Sequence, residues 1–178
     1  MHEALTDMLP HVPGARFQRL GPADVPAVQT LFERCSEFFE LTEGAPPGAD
    51  TAAEEIALAA PGKTAEDTFC FGAFVDDRVI AFIHLARDFP KPSEWWLGFL
   101  LIDPAHRRRG FGVEVHEALT RWLVAQSAST LWLGVLTQNE PAHRFWLRMG
   151  YVERERQQVV SRHGLQSTVI LMSQPLTA

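Results

Sequence analysis

The 178-residue chain, 46% hydrophobic and 21% charged, is long enough for one domain with a substantial core and short for two. Sixteen basic against twenty-two acidic side chains give a net charge of -6, which excludes a general nucleic-acid surface held by phosphate neutralisation. Cys35 and Cys70 are too few and too far apart for a disulfide scaffold or a four-thiolate metal site, and the longest apolar run, residues 95–102, falls well short of the ~20 residues that span a bilayer.

Residues 1–17 are interrupted by Glu3, Asp7, Pro10 and Pro13 and lack the basic flank and apolar stretch of an export signal, so a soluble protein of the reducing cytoplasm is expected. Residues 16–20 alternate as a short strand. Gly21-Pro22 then leads to Asp24, an N-cap for a helix through about Ser36 that carries Val28, Leu31 and Phe32 inward. The Pro/Gly/Ala-rich stretch 44–62 reads as a mobile insertion, with a second helix over 51–60. Residues 69–75 and 79–87 are β-prone runs around the turn signal Asp76-Asp77-Arg78, a hairpin. A third strand at 95–102 is apolar on both faces, which places helices on each side of the sheet.

Beyond Pro104 the period changes. Phe111, Val115, Ala118, Leu119 and Trp122 form one helical stripe that begins at a glycine pair. Residues 131–136 are the next buried strand, Asn139 and Pro141 open a short helix ending at Gly150, and 151–161 with 165–173 close as a hairpin. The order indicates an α/β or α+β domain with a mixed sheet and no internal boundary.

Chemistry concentrates in residues 101–113, where a buried strand ends at Pro104 and a glycine loop with Arg107, Arg108 and Arg109 opens a helix. The first N–H groups of a helix have no intrahelical partner and favour phosphate oxygens, Gly110 and Gly112 allow close approach, and the arginines add charge-assisted bonds. A diphosphate ligand is the first expectation. The alternatives are a plain glycine turn with solvated arginines, and a dinucleotide loop, whose third glycine would fall at Val115.

Arg107-x-x-Gly110-x-Gly112, preceded by Ile102-x-Pro104, resembles the [Q/R]-x-x-G-x-[G/A] signature of the GNAT N-acetyltransferase superfamily. Asn139-Glu-Pro-Ala142, Phe145-Trp146 and Met149-Gly150-Tyr151 resemble its second segment. The resemblance covers about residues 95–153. It implies a single domain over 1–178, with a mixed, mostly antiparallel central sheet, helices on both faces and a splay between the fourth and fifth strands. It further implies an acetyl-CoA site, in which main-chain groups of Leu100, Leu101 and Ile102 pair with the pantetheine amides. Arg107, Arg108, Arg109, Gly110, Phe111, Gly112 and Val113 would surround the pyrophosphate, Asn139 would lie beside the pantetheine arm, and Trp146 near the thiol end.

The implied activity is acetyl transfer from acetyl-CoA to a primary amine of a small molecule or peptide, within a complex holding both substrates. A noncatalytic acyl-CoA-binding sensor is the alternative. Family members often use a tyrosine to protonate the departing thiolate; here Trp146 stands at that position and Tyr151, the one tyrosine, sits where the family packs an aromatic residue in the core. Glu94 is the nearest carboxylate for a base, with Asp88 and His84 as further candidates. Phe38, Phe39, Glu40, Trp95 and Trp96 are candidates for the acceptor pocket, with Trp95 and Trp96 on opposite sheet faces. The histidines show no metal-ligand spacing, so no metal is expected, nor a nucleic-acid or membrane partner. A homodimer fits by analogy.

Overall fold

Strand alternation, helical stripes and turn residues place every element along a single sheet. The computed structural model describes residues 9–176. The expectation about an export signal rests in part on residues outside these. Seven strands are ordered β1-β2-β3-β4-β5-β7-β6: β1 (Arg16–Arg19), β2 (Thr68–Val75), β3 (Arg78–Arg87), β4 (Glu94–Ile102), β5 (Thr130–Leu136), β6 (Val152–Val160) and β7 (Gln166–Pro175). Every neighbouring pair is antiparallel except β4 with β5, which is parallel. Asp76 and Asp77 both adopt positive φ, the conformation a tight β2–β3 hairpin turn demands of its two central residues.

Helices cover both faces of the sheet. On one face, α1 (Val25–Arg34), α2 (Ser36–Glu43) and α3 (Thr51–Ala57) bury Val28, Leu31, Phe32, Phe39 and Ala52 against Cys70, Phe82 and Leu101. On the other, α4 (Phe111–Ala125) sets Val115, Leu119, Trp122 and Leu123 against Phe71, Trp95 and Leu131, and α5 (Glu140–Arg148) adds Trp146 to the same cluster. The chain is therefore a single α/β domain with a mixed sheet.

The expected first helix is α1, and a further helix that sequence reasoning did not name follows it. The regular bonds of α1 stop at Cys35, whose N–H is shared between Leu31 O and Phe32 O, and the chain restarts at once as α2, which ends at left-handed Gly44. Asp24 caps no helix with its side chain. Its carboxylate takes the Gly21 N–H at 2.9 Å and Gln18 Nε2 at 3.0 Å, fixing the turn that delivers α1.

The 44–62 stretch carries α3 and is tied down at several points. Ala52 N bonds Gln29 Oε1 at 3.1 Å, Gln29 Nε2 bonds Gly48 O at 2.9 Å, and His84 Nε2 meets Leu58 O at 3.0 Å.

Candidate functional site

The site begins with one irregularity in β4. His84 opposes Phe99 and Leu85 opposes Leu97, so Gly98 is an extra residue in the strand, a β-bulge. A Cβ on Gly98 would lie 2.9 Å from His84 Nδ1, so the side chain beneath the bulge allows only hydrogen here. The parallel pairing of β4 with β5 runs from Glu94↔Thr130 to Leu97↔Leu133 and stops there. From Gly98 onward the two strands part, as the family resemblance implies for the fourth and fifth strands.

The parting opens a cleft of about 1390 Å³. Its floor is the β4 segment Leu97 to Ile102 and the β5 segment Leu133 to Leu136; α2, α3, the start of α4, α5 and the β6–β7 turn form its walls. Asp103 N donates to Ile80 O at 2.8 Å, and counting back along the alternating strand turns the main chain of Leu101 toward β3 and that of Leu100 and Ile102 toward the opening. Of the expected trio, then, Leu101 has its backbone in the sheet. The Ile102 carbonyl is already engaged by Arg107 Nε at 2.7 Å and by Cys35 Sγ at 3.7 Å. Leu100 is the one whose main chain faces the cleft.

At the head of the opening lies the glycine loop. Asp103, Pro104 and His106 make a 3-10 turn held by the Asp103 carboxylate on Ala105 N, then Arg108 (φ 60) and Gly110 (φ 84) bend the chain into the left-handed region. Such a sequence of conformations gathers main-chain N–H groups into an anion-binding concavity. The earliest bonds of α4 are donated by Val113 and Glu114 to Gly110 O, which leaves the N–H groups ahead of them without helical partners. Arg107, Arg108, Gly110, Gly112 and Val113 line the cleft here, whereas Arg109 is exposed beside it and Phe111 packs against the core near His106.

Arg107 lines the cleft and is also tied into the protein. Its Nη1 donates to Glu37 Oε1 at 2.6 Å and its Nη2 to Cys35 Sγ at 3.4 Å, in addition to the bond to Ile102 O. The guanidinium fastens the end of β4 to the α1–α2 break. Burial pushes the Cys35 thiol up to about 11 against the opposing charge of Arg107, so this sulfur stays protonated.

Along the α5 wall, Asn139 caps its helix through Oδ1 to Ala142 N at 3.3 Å and lines the cleft with Phe145 and Trp146. Trp146 covers a buried pair behind it, His116 Nε2 and Tyr151 Oη at 3.1 Å. Desolvation lowers His116 to about 4 and raises Tyr151, so both are neutral. Tyr151 is 2% exposed and does not line the cleft.

At the opposite end the wall is acidic, which sequence reasoning missed. Glu43 from α2 and Glu54 and Glu55 from α3 line the cleft with Arg162 from the β6–β7 turn. Arg162 bonds Glu54 and lies 3.7 Å from Glu55, while Ser161 Oγ donates to Glu43 O at 2.8 Å, so the hairpin turn is stitched across the cleft to α2 and α3. Desolvation raises the Glu55 carboxyl to about 6, with Arg162 opposing and Glu43 and Glu54 adding to the rise. No local pattern marked Glu55, because an Ala/Glu-rich helix reads the same on a free surface as on a cleft wall.

Several sequence candidates fall elsewhere. Glu94 starts β4 at the paired end, outside the cleft, and its carboxylate accepts from Trp132 Nε1 at 2.9 Å; the reason is that β4 opens only four residues later. Trp95 is 2% exposed in the core against Phe69 and Trp122. Trp96 lies on the other face beside Phe89, and Glu40 binds Ser36 Oγ at 2.7 Å on the solvent side of α2. Phe38 and Phe39 do line the cleft, packed on Phe99. His84 is buried, its pKa lowered by desolvation, and Asp88 accepts from Ser93 N. Among the described residues, no group of three or more His, Cys, Asp or Glu side chains could hold a metal ion, and no helix is long and apolar enough to cross a membrane.

This architecture recurs in known proteins. The ribosomal-protein-S18-alanine N-acetyltransferase of Escherichia coli superposes with a TM-score of 0.69 at 22% identity, covering 92% of this chain and 95% of that one. An acetyltransferase from Thermus thermophilus gives 0.71 at 20% identity, over 93% and 99% of the two chains. A GNAT-family acetyltransferase from Streptococcus pneumoniae gives 0.66 at 16%, over 92% and 99%. At these identities the likeness is one of fold. No curated protein sequence matches the chain. The family description that does match it, over residues 28–151, begins within α1, runs past the end of α5 and includes the bulge, the glycine loop and the helical walls of the cleft: the chain belongs to the acetyltransferase (GNAT) family.

Proposed function

We propose that this protein transfers an acetyl group from acetyl-CoA to a primary amine. The observation that carries the reading is the parting of β4 from β5 at the Gly98 bulge, with the α4 N-terminus at one end of the gap. A linear, amide-bearing arm fits such a gap as an added strand, and the N–H concavity at Arg108 to Gly112 suits the diphosphate that ends the arm. Leu100, facing the gap, is the main-chain donor available to a carbonyl oxygen that gains negative charge during attack. The CoA thiol, with a pKa near that of cysteine at ~8.5, can leave as thiolate without a tyrosine. The three carboxylates at the far end favour a cationic acceptor, a small amine or the α-amino group of a peptide.

Gly112→Asp tests the cofactor end. A Cβ at Gly112 would lie 3.2 Å from Ile102 Cδ1, so that side chain must shift by a few tenths of an ångström. The carboxylate suits the first turn of the helix and adds negative charge beside the N–H concavity; an unchanged melting temperature shows that the fold is kept. Like charges at a partly exposed site repel by ~2 to 4 kcal/mol, so titration calorimetry should show CoA binding weakened by about 30-fold or more. Equal affinity for the two proteins would remove the reading. The missing tyrosine favours a second one, a noncatalytic acyl-CoA sensor, and thiol release with any amine excludes it.

A further inference from the structure

Direct attack by an amine requires a group that takes a proton from its ammonium form, and Glu94 lies outside the cleft. The geometry points to Glu55 of α3 as the carboxylate that accepts this proton, an assignment that rests on the acetyl-transfer reading. Strand register places it. Cys70 pairs with His84 and His84 with Phe99, so the three residues form one row across β2, β3 and β4, next to Gly98 where the opening starts. α3 is pinned to this row twice, by Cys70 Sγ on Ile56 O at 3.9 Å and by His84 Nε2 on Leu58 O at 3.0 Å. Glu55 directly precedes the first anchor and lines the cleft with a side chain 13% exposed.

The other carboxylates of the cleft are less suited. Glu37 is bound to Arg107 at 2.6 Å, Glu54 to Arg162, and Glu43 lies a helical turn beyond Phe39, the α2 residue packed on Phe99. Asp50 is exposed at the start of α3, more than a helical turn from the two anchors. The groups that face Glu55 are Arg162 from the β6–β7 turn, Glu43 from α2, Glu54 on its own helix and Cys70 from β2. Burial pushes the Cys70 thiol up to about 12, so it carries no charge. Glu55, raised to about 6, is ionised at neutral pH and more basic than a surface glutamate.

The proton accounting closes. One N–H bond of the ammonium breaks and an O–H bond forms on Glu55; the freed lone pair forms the C–N bond at the thioester carbon. The C–S bond breaks with its electrons on sulfur, and the second proton lost by nitrogen ends on the thiolate. Glu55 returns its proton to solvent, so each turnover yields amide, CoA thiol and one proton.

The test is the pH dependence of kcat/KM, read as thiol release from acetyl-CoA with a panel of polyamines, arylalkylamines and peptide α-amines. In the wild type, activity falls away below about pH 6, where Glu55 becomes protonated. Glu55→Gln should lower kcat by ~10²- to 10⁴-fold and abolish this inflection, with CoA affinity and melting temperature preserved. Arg162→Gln, which removes the charge holding the carboxyl down, should move the inflection above 6. A Glu55→Gln enzyme that keeps both rate and inflection overturns the assignment alone. Absence of thiol release by the wild type across the panel overturns the transferase reading and this assignment with it.

Discussion

Arg34→Ala should loosen the corner from which the glycine loop departs. Asp103, 2% exposed, ends β4 and accepts from Arg34 Nε at 2.6 Å, from Ala105 N at 3.0 Å and from Arg78 Nη2 at 3.4 Å; Arg34 Nη2 also donates to Val79 O at 2.7 Å. Removing one partner of a fully buried ion pair costs ~3 to 5 kcal/mol, mostly from the charge left behind. Here the cost is smaller, because Arg34 is 23% exposed and Asp103 keeps Ala105 N–H and the half-exposed Arg78. An expected loss of ~2 to 3 kcal/mol follows, a fall in melting temperature of ~4 to 12 °C for a chain of this size.

The pH dependence has a definite sign. Burial pushes the Asp103 carboxyl up, but the Ala105 N–H and the Arg34 and Arg78 guanidinium groups outweigh it and hold the carboxyl below its ordinary value. A folded pKa below the unfolded one adds stability that is complete above the unfolded value, ~3.9, and is lost as pH falls through the folded value. The gap between wild type and Arg34→Ala should therefore be widest near neutrality and close in acid. Chemical denaturation at pH 7 and at pH 4 and below measures it. A gap that is constant over this range, or below ~0.5 kcal/mol at pH 7, would refute the argument that the pair is a buried charge interaction.

Two further outcomes follow from the strand that opens. Glu94→Gln should leave kcat/KM within about twofold of wild type, because the carboxylate serves only Trp132 at the paired end of β4; a fall of tenfold or more would return Glu94 to the chemistry. Gly98→Ala places a methyl group 2.9 Å from His84 Nδ1, which displaces the ring from Leu58 O and costs ~1 to 3 kcal/mol. A lowered melting temperature, with faster proteolysis in residues 44–62, is the expected result, and unchanged values for both would show that the ring is not held as described.

The sequence was most legible where one element meets one solvent boundary. The α4 stripe, the Asp76-Asp77 hairpin and the doubly apolar β4 follow from local period and turn chemistry, and they are found as read. The end of α1 near Ser36 was legible, but its immediate restart as α2 was hidden, because Cys35 neither stops a helix by propensity nor starts one. What bends the chain there is tertiary: Ile102 O and Arg107 come to the Cys35 sulfur from 67 and 72 residues away. The acidic wall was hidden for the same reason, since Glu55 and Arg162 are brought together by a hairpin turn crossing to an inserted helix. The signature loop announced a site, yet the role of each side chain in it was set by neighbours that no local pattern names.

Opening a sheet leaves main-chain groups without strand partners, and buried ones must find others or stay unpaired at a cost of ~1 to 3 kcal/mol each. In this cleft the chain answers one of them itself: Arg107 and Cys35 occupy Ile102 O. Leu100 is left turned toward the gap. Arg107, the first letter of the signature, both holds the end of β4 and lines the cleft. Substituting Arg107 disturbs fold and ligand together, whereas Glu55 touches the cleft without carrying β4 and a side chain at Gly112 meets β4 only through the tip of Ile102. Loss of CoA binding in an Arg107 variant would therefore say little about the diphosphate, and the same loss in Gly112→Asp says much.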